Sequence, residues 1–281
     1  MSLKVANEVK YDSDSCVLAW DNKLFVGFED GTIKALDDSL NETTSWSAHA
    51  VQVFALAAGG GRVYSSSNDG AIRVWNPEGI KQAELPNSEF DVVCLNLYGD
   101  ILFAGDENGN VVVYEKDAVK ALYNMLEEVK CLAFQPPFLY TVRDLYVYVT
   151  EIKPDEHKSR FTLRHTMEGR APICLIGTKY LLIVNRTGNN LELHDASAET
   201  SFKKIHEVKV SDMILTSVAS NGDYVWTGGW DGKIRRWKLI NDQLIADGEL
   251  NLDSCINAVV ARPEGAFAAV AGGRLVKVVA S

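Results

Sequence analysis

No run of about 18 apolar residues occurs in this chain, so nothing in it reads as a membrane-spanning helix. The N-terminus lacks the apolar core of a secretion signal. Cysteine is sparse: there are five, and no two stand in CxxC spacing, which removes the commonest zinc and redox motifs. An odd number of cysteines without a signal fits reduced thiols, and the expectation is a cytoplasmic or nuclear protein. HExxH, GxSxG and GxxxxGK[ST] are all missing, so the usual zinc-protease, nucleophile-elbow and phosphate-loop chemistries have no residues to carry them. Positive charge is also short. Lys and Arg number 28 against 38 Asp and Glu, for a net charge of −10, which argues against broad contact with nucleic-acid phosphates. The expectation is a chain with no catalytic residues, no cofactor and no metal site, and with neither nucleic acid nor membrane as partner.

What is present is a phrase that returns. Residues 65–75 read SSSNDGAIRVW and residues 227–237 read TGGWDGKIRRW, with weaker copies VGFEDGTIKAL at 26–36 and AGDENGNVVVY at 104–114. Gly31, Gly70 and Gly109 are 39 residues apart, and Gly232 and Gly273 are 41 apart. Each copy holds short apolar runs, an Asp-Gly or Asn-Gly turn that supplies positive φ, and a β-branched and aromatic strand. Four short strands per ~40 residues, with an aspartate turn and a closing tryptophan, is the pattern of a propeller blade.

The residues around this turn resemble the WD-repeat family of β-propellers. That resemblance implies a hydrogen-bonded tetrad, and His49, Ser65, Asp69 and Trp75 fall at its positions in the second unit. The sixth unit keeps Thr227, Asp231 and Trp237, with Ser211 where the histidine would be. Elsewhere the tryptophan slot holds Leu36, Tyr114, Thr150, His194 and Val278. The aspartate slot holds Asp30, Asn108 and Asp144, then Gly188 and Gly272.

Aligned on these slots, the chain reads as one seven-bladed all-β propeller, with units at 15–49, 50–87, 88–124, 125–168, 169–210, 211–251 and 252–281. The seventh unit ends after its third strand. The run LKVANEVKY at 3–11 has no other assignment and is expected to pair onto Leu275–Ala280, closing the ring. All five cysteines are expected in first strands, as small buried hydrophobes. KPDEHKSR at 153–160 reads as a solvated hairpin loop, with a docking loop as the alternative.

In the family this chain resembles, short peptides meet one face, built from the turns between second and third strands and the starts of the first strands. The turn positions are Glu29, Asn68, Glu107, Arg143, Thr187, Trp230 and Ala271. The first-strand positions include Gln52, Phe54, Asp91, Val93, Glu128, Lys130, Ile214, Thr216 and Asn257. Trp230 beside an Asp-Gly turn has no solubility reason to be aromatic, and Glu29, Asp91, Glu107 and Glu128 form a recurring set of acids. The expectation is an interaction scaffold that holds a short basic segment of another protein. Gln52, Asn68, Glu29, Asp91, Glu107, Glu128, Lys130 and Arg143 would line that face, with Trp230 and Phe54 as apolar anchors. Two other classes are open: an obligate structural subunit that uses its rim, and a metal-dependent hydrolase with a cation on Glu29, Asp91 and Glu128.

Overall fold

The computed structural model describes residues 1–69, 71–86 and 90–281. Gly70, counted above among the turn glycines, and residues 87–89, where the second and third units are expected to meet, lie outside the described residues. Among the described residues all regular structure is β-strand. The chain opens with β1 (Leu3–Lys10). It then forms sheets from β2–β5 (Ser15–Asp21, Lys23–Phe28, Thr32–Leu36, Glu42–Ser47) and β6–β9 (Val53–Gly59, Arg62–Ser67, Ile72–Trp75, Lys81–Leu85). Next come β10–β13 (Val92–Tyr98, Ile101–Asp106, Asn110–Glu115, Ala118–Asn124) and β14–β17 (Cys131–Gln135, Phe138–Arg143, Tyr146–Ile152, Phe161–Glu168). β18–β21 (Arg170–Ile176, Tyr180–Val184, Asn190–Asp195, Lys204–Lys209) and β22–β25 (Leu215–Asn221, Tyr224–Gly229, Lys233–Ile240, Gln243–Asn251) follow. β26–β28 (Ile256–Arg262, Gly265–Val270, Arg274–Ala280) make three strands of the last sheet, and β1 is its fourth. The fold is a seven-bladed β-propeller of four-stranded antiparallel blades.

Two compact units are present, Met1–Ser15 with Met167–Ser281, and Cys16–Thr166. In both, burial follows strand position. Second strands such as β11 and β19 are buried almost throughout, while fourth strands such as β5 and β17 are mostly exposed. A strand with both faces covered becomes a continuous apolar run, and an outer strand need not. In the Cys16–Thr166 unit, Phe103, Tyr123, Leu132, Phe134 and Leu139 share one cluster, with Phe103 and Phe134 stacked at 4.4 Å. In the other unit, Leu3 joins Trp226, Ile234, Ile256 and Val278.

β1 runs antiparallel along β28, from Leu3 opposite Ala280 to Lys10 opposite Arg274, with a bulge between Val5 and Asn7. Arg274 forks onto Glu8 at 2.8 and 3.0 Å and reaches the Leu252 carbonyl at 2.6 Å. Turn carbonyls complete several blades. Gly31 O accepts the amides of Ala48 and His49 at 3.0 Å, and Gly273 O accepts Tyr11 N at 2.8 Å. These glycines are demanded twice over. Gly31 has φ +81° and Gly273 φ +74°, and a Cβ would lie 2.2 Å from His49 O or 2.0 Å from Tyr11 O.

Two details differ from the sequence reading. Cys255 stands one residue ahead of β26 rather than within it. The 153–160 loop exposes its side chains, but its backbone is docked: Leu122 N donates to Lys158 O at 2.8 Å and Tyr123 Oη to His157 O at 3.4 Å. The unsatisfied amide edge of β13 is what recruits it.

Leu3→Ala is expected to cost about 2–4 kcal/mol, read by denaturant unfolding, because it removes buried methyl groups from that core. Deleting residues 1–11 is expected to lower the unfolding midpoint further and promote aggregation through the exposed β28 edge, read by thermal scans with light scattering.

Candidate functional site

The second blade carries a continuous hydrogen-bond chain. Trp75 Nε1 can only donate, and gives its proton to Ser65 Oγ at 2.9 Å. The Ser65 hydroxyl then donates to His49 Nε2 at 2.8 Å. That leaves the imidazole proton on Nδ1, which faces Asp69 at 3.0 and 3.1 Å. Arg73 closes the chain, with Nη1 2.7 Å from Asp69 Oδ2 and 2.6 Å from the Ala48 carbonyl. Burial holds His49 below its ordinary value of 6.5, against the pull of Asp69. Burial by itself would raise Asp69; the hydrogen bonds from His49 and Arg73 outweigh it and hold the carboxyl below its ordinary value. The arrangement is saturated, with its polar groups turned on one another, and it locks a turn rather than presenting a reactive group.

The sixth blade repeats the arrangement in two halves. Trp237 Nε1 donates to Thr227 Oγ1 at 3.2 Å, and Ser211 Oγ donates to Asp231 at 2.8 Å. Arg235 again caps the carboxylate, at 2.7 Å. The arginine four residues after the aspartate was not singled out by the sequence reading, although both strong copies carry it in the shared string DGxIR. Other blades fill the tryptophan slot with a different donor. Tyr114 Oη donates to Pro86 O at 2.8 Å, its phenol pushed up to about 12 by burial. His194 Nδ1 donates to Phe202 O at 2.9 Å. Leu36, Thr150 and Val278 occupy the slot as buried side chains without such a bond.

The aspartate slot needs two corrections. In the third blade Asp106, not Asn108, organises the turn: its Oδ1 accepts the amides of Asn108 and Asn110 at 3.0 and 2.7 Å. In the fifth blade Asn185, not Gly188, accepts the amides of Gly188, Asn189 and Asn190, each at 3.0 Å. Both turns start their capping residue earlier than the Asp-Gly copies do, so alignment on the glycine shifts the slot.

The expected binding residues divide. Trp230 lies in the Met167–Ser281 unit and is 56% exposed; its amide donates to Ile214 O at 3.0 Å, and neighbouring Met213 is 47% exposed. Thr187, Ile214, Thr216, Asn257 and Ala271 lie in that same unit, and the remaining positions lie in the Cys16–Thr166 unit. Glu29, Asn68 and Glu107 are exposed at second-to-third strand turns, and Gln52, Glu128 and Lys130 are exposed ahead of first strands. Glu107 N donates to Asp91 O at 3.0 Å, and Lys130 Nζ sits 4.0 Å from Glu128. Asp91 is half-buried, as is Phe54, which occupies a β-bulge between Val53 and Ala55. Equivalent bulges hold Val93, Thr216 and Asn257. Such bulges re-aim a side chain at the mouth of a strand. Thr216 and Asn257 spend that re-aiming internally, on the Gly228 carbonyl at 3.1 Å and the Ser15 carbonyl at 3.0 Å. Arg143 is likewise turned inward. Its guanidinium lies 3.5 Å over the Tyr148 ring and bonds the Met125 carbonyl, so it is half-buried and engaged internally rather than freely presented. Among the described residues, no group of three or more His, Cys, Asp or Glu is placed to hold a metal ion.

Residues 7–75 match the family model described as IP5P C-F beta-propeller. A 60-residue stretch is 35% identical to type I inositol polyphosphate 5-phosphatase 13 and to type II inositol polyphosphate 5-phosphatase 14 of Arabidopsis thaliana. It covers 21% of this chain and 5% of each of those proteins. Over 97% of this chain and 98% of the other, the fold is similar to the crystal structure of the computationally designed Ika8 protein, with a TM-score of 0.73 at 17% identity. That likeness concerns the fold alone.

The two lowered values make the second blade acid-sensitive. A His49 pKa below 6.5 means that the unfolded chain binds more protons as pH falls through that value, and Asp69 adds the same effect below 3.8. The unfolding midpoint is therefore expected to fall between pH 7 and pH 5. A His49→Gln variant is expected to be less stable at pH 7 but to show a flatter slope over that window, as read by calorimetry. Asp69→Ala is expected to cost about 1–3 kcal/mol by leaving buried donors unmatched.

Proposed function

We propose that this protein is a non-catalytic interaction module of the WD-repeat kind, working in cytoplasm or nucleus within a multiprotein assembly. Its partner is a protein segment carrying Arg or Lys. The observation that supports this most is Trp230, an indole held in the open by a turn whose backbone is fixed. A large aromatic on a rigid turn loses little freedom on binding and can anchor a partner's side chain. In the Cys16–Thr166 unit, Glu29, Glu107 and Glu128 supply a negative surface that would speed encounter with a basic segment and favour one register. Asp91 is tied to Glu107 through its carbonyl, and Gln52, Asn68 and Phe54 hold the equivalent turn and strand-start positions of the second blade. The phosphatase activity in the relatives' names is not carried over, because the matched residues 7–75 hold propeller strands and the His49–Asp69 pair. A second reading, a structural subunit held by its rim, is favoured by the exposed Val119, Leu122, Phe161 and Leu163 on outer strands.

The test is affinity purification from cells with wild type, Trp230→Ala and Glu107→Lys, each confirmed as folded by circular dichroism. Partners carrying basic segments are expected to be lost or weakened about tenfold or more in the variants. An unchanged partner list in both would remove this reading and leave the rim.

A further inference from the structure

The loop docked on β13 builds a groove that the turn-based reading does not use. Glu151, Lys153, His157, Ser159, Arg160, Phe161, Thr162 and Arg164 border an open surface groove of about 550 Å³, all within the Cys16–Thr166 unit. That size lies in the range of small-ligand sites. Its wall is pinned in three ways: by the two β13 hydrogen bonds described above, by Lys120 on Asp155 at 2.8 Å, and by Tyr123 edge-on to Phe161 at 6.4 Å. Pinning leaves the groove preformed rather than dependent on a floppy loop.

The charges around it do not cancel. Glu151 is taken by Arg164 at 2.6 Å, Glu156 by Lys153 at 3.7 Å, and Asp155 by Lys120. Every carboxylate of the stretch thus has a cation. Arg160 has no carboxylate partner among the described residues, and neither has Lys158 beside it. On a chain of net charge −10, this is a groove lined by a spare guanidinium, an imidazole and two hydroxyls. Several donors lining one space, with the Glu151 carboxylate held by Arg164, suit an anion with terminal oxygens, and the planar fork of arginine can grip two of them. Phe161 offers an apolar wall for the organic part of a ligand.

We infer that this groove binds a phosphate monoester, gripped by Arg160 and His157, with the Ser159 and Thr162 hydroxyls as further donors. The group can arrive on a soluble molecule or on a lipid headgroup. It is a separate site from the partner-binding turns and does not depend on them.

The test uses the full chain. Inorganic pyrophosphate is titrated by calorimetry at physiological ionic strength. Cosedimentation is measured with phosphatidylcholine vesicles, with and without phosphatidic acid. Saturable pyrophosphate binding is expected, weakened about tenfold or more in Arg160→Ser, as loss of a charge-assisted pair requires. Lys179→Ser removes the same charge from an exposed position elsewhere and is expected to change nothing. Pyrophosphate binding without vesicle binding assigns the group to a soluble ligand. Arg160-dependent cosedimentation with phosphatidic acid assigns it to a lipid. Absence of binding in both assays, or an equal loss in Lys179→Ser, overturns the inference. Circular dichroism of both variants keeps misfolding from imitating either result.

Discussion

The antiparallel seam between Leu3–Lys10 and Arg274–Ala280 is the interaction on which the Met167–Ser281 unit depends. Without it, β28 would be an edge with unpaired amides and carbonyls, the feature that sheet proteins most need to hide. The seam is also more than backbone. Leu3 enters the core beside Trp226 and Ile234, Arg274 ties Glu8 to the Leu252 carbonyl, and Tyr11 closes onto Gly273. Backbone pairing, apolar burial and a forked ion pair all converge on one short strand, so no single side chain bears the whole load.

Elsewhere the blades solve one problem by several routes. A buried slot at the third strand must be filled, and a turn must be capped. The second blade does both through one chain running Trp75, Ser65, His49, Asp69 and Arg73. The sixth splits the chain in two, the third turns to Tyr114 and Asp106, and the fifth to His194 and Asn185. What persists is a filled slot and, at these turns, a polar side chain that accepts backbone or side-chain hydrogens. Residue identity differs from blade to blade: Tyr114 and His194 give their donor to a nearby carbonyl, whereas Leu36, Thr150 and Val278 fill the slot without such a bond.

That explains what could be read in the sequence. Asp-Gly dipeptides followed by Ile and Trp specify a local geometry, so the strong copies, the blade count and the pairing of residues 3–11 were legible. Asp106 and Asn185 were not, because each stands three residues ahead of its turn glycine rather than directly before it, so the glycine no longer marks the capping position. The inward fate of Arg143, Thr216 and Asn257 was hidden for another reason. A long or bulged side chain has several acceptors within reach, and only the neighbouring backbone decides which one it takes. The docking of the 153–160 loop on β13 was equally invisible, since it joins a loop's backbone to a strand's edge rather than two sequence motifs. The turn position of Trp230 was legible from the Asp-Gly dipeptide that follows it, and its 56% exposure is set by the surrounding packing.

The seam also orders events in time. During synthesis Leu3–Lys10 leaves the ribosome before its partner Arg274–Ala280, which follows only after more than 260 intervening residues. At typical elongation rates that is roughly 15–50 seconds in which β1 has no strand to pair with. Lys4, Asn7, Glu8 and Lys10 give the waiting segment charge and polarity on an otherwise strand-forming sequence, and such residues discourage pairing with a neighbouring chain. The polar character of β1, unremarkable in the finished blade, is what lets its two halves meet late.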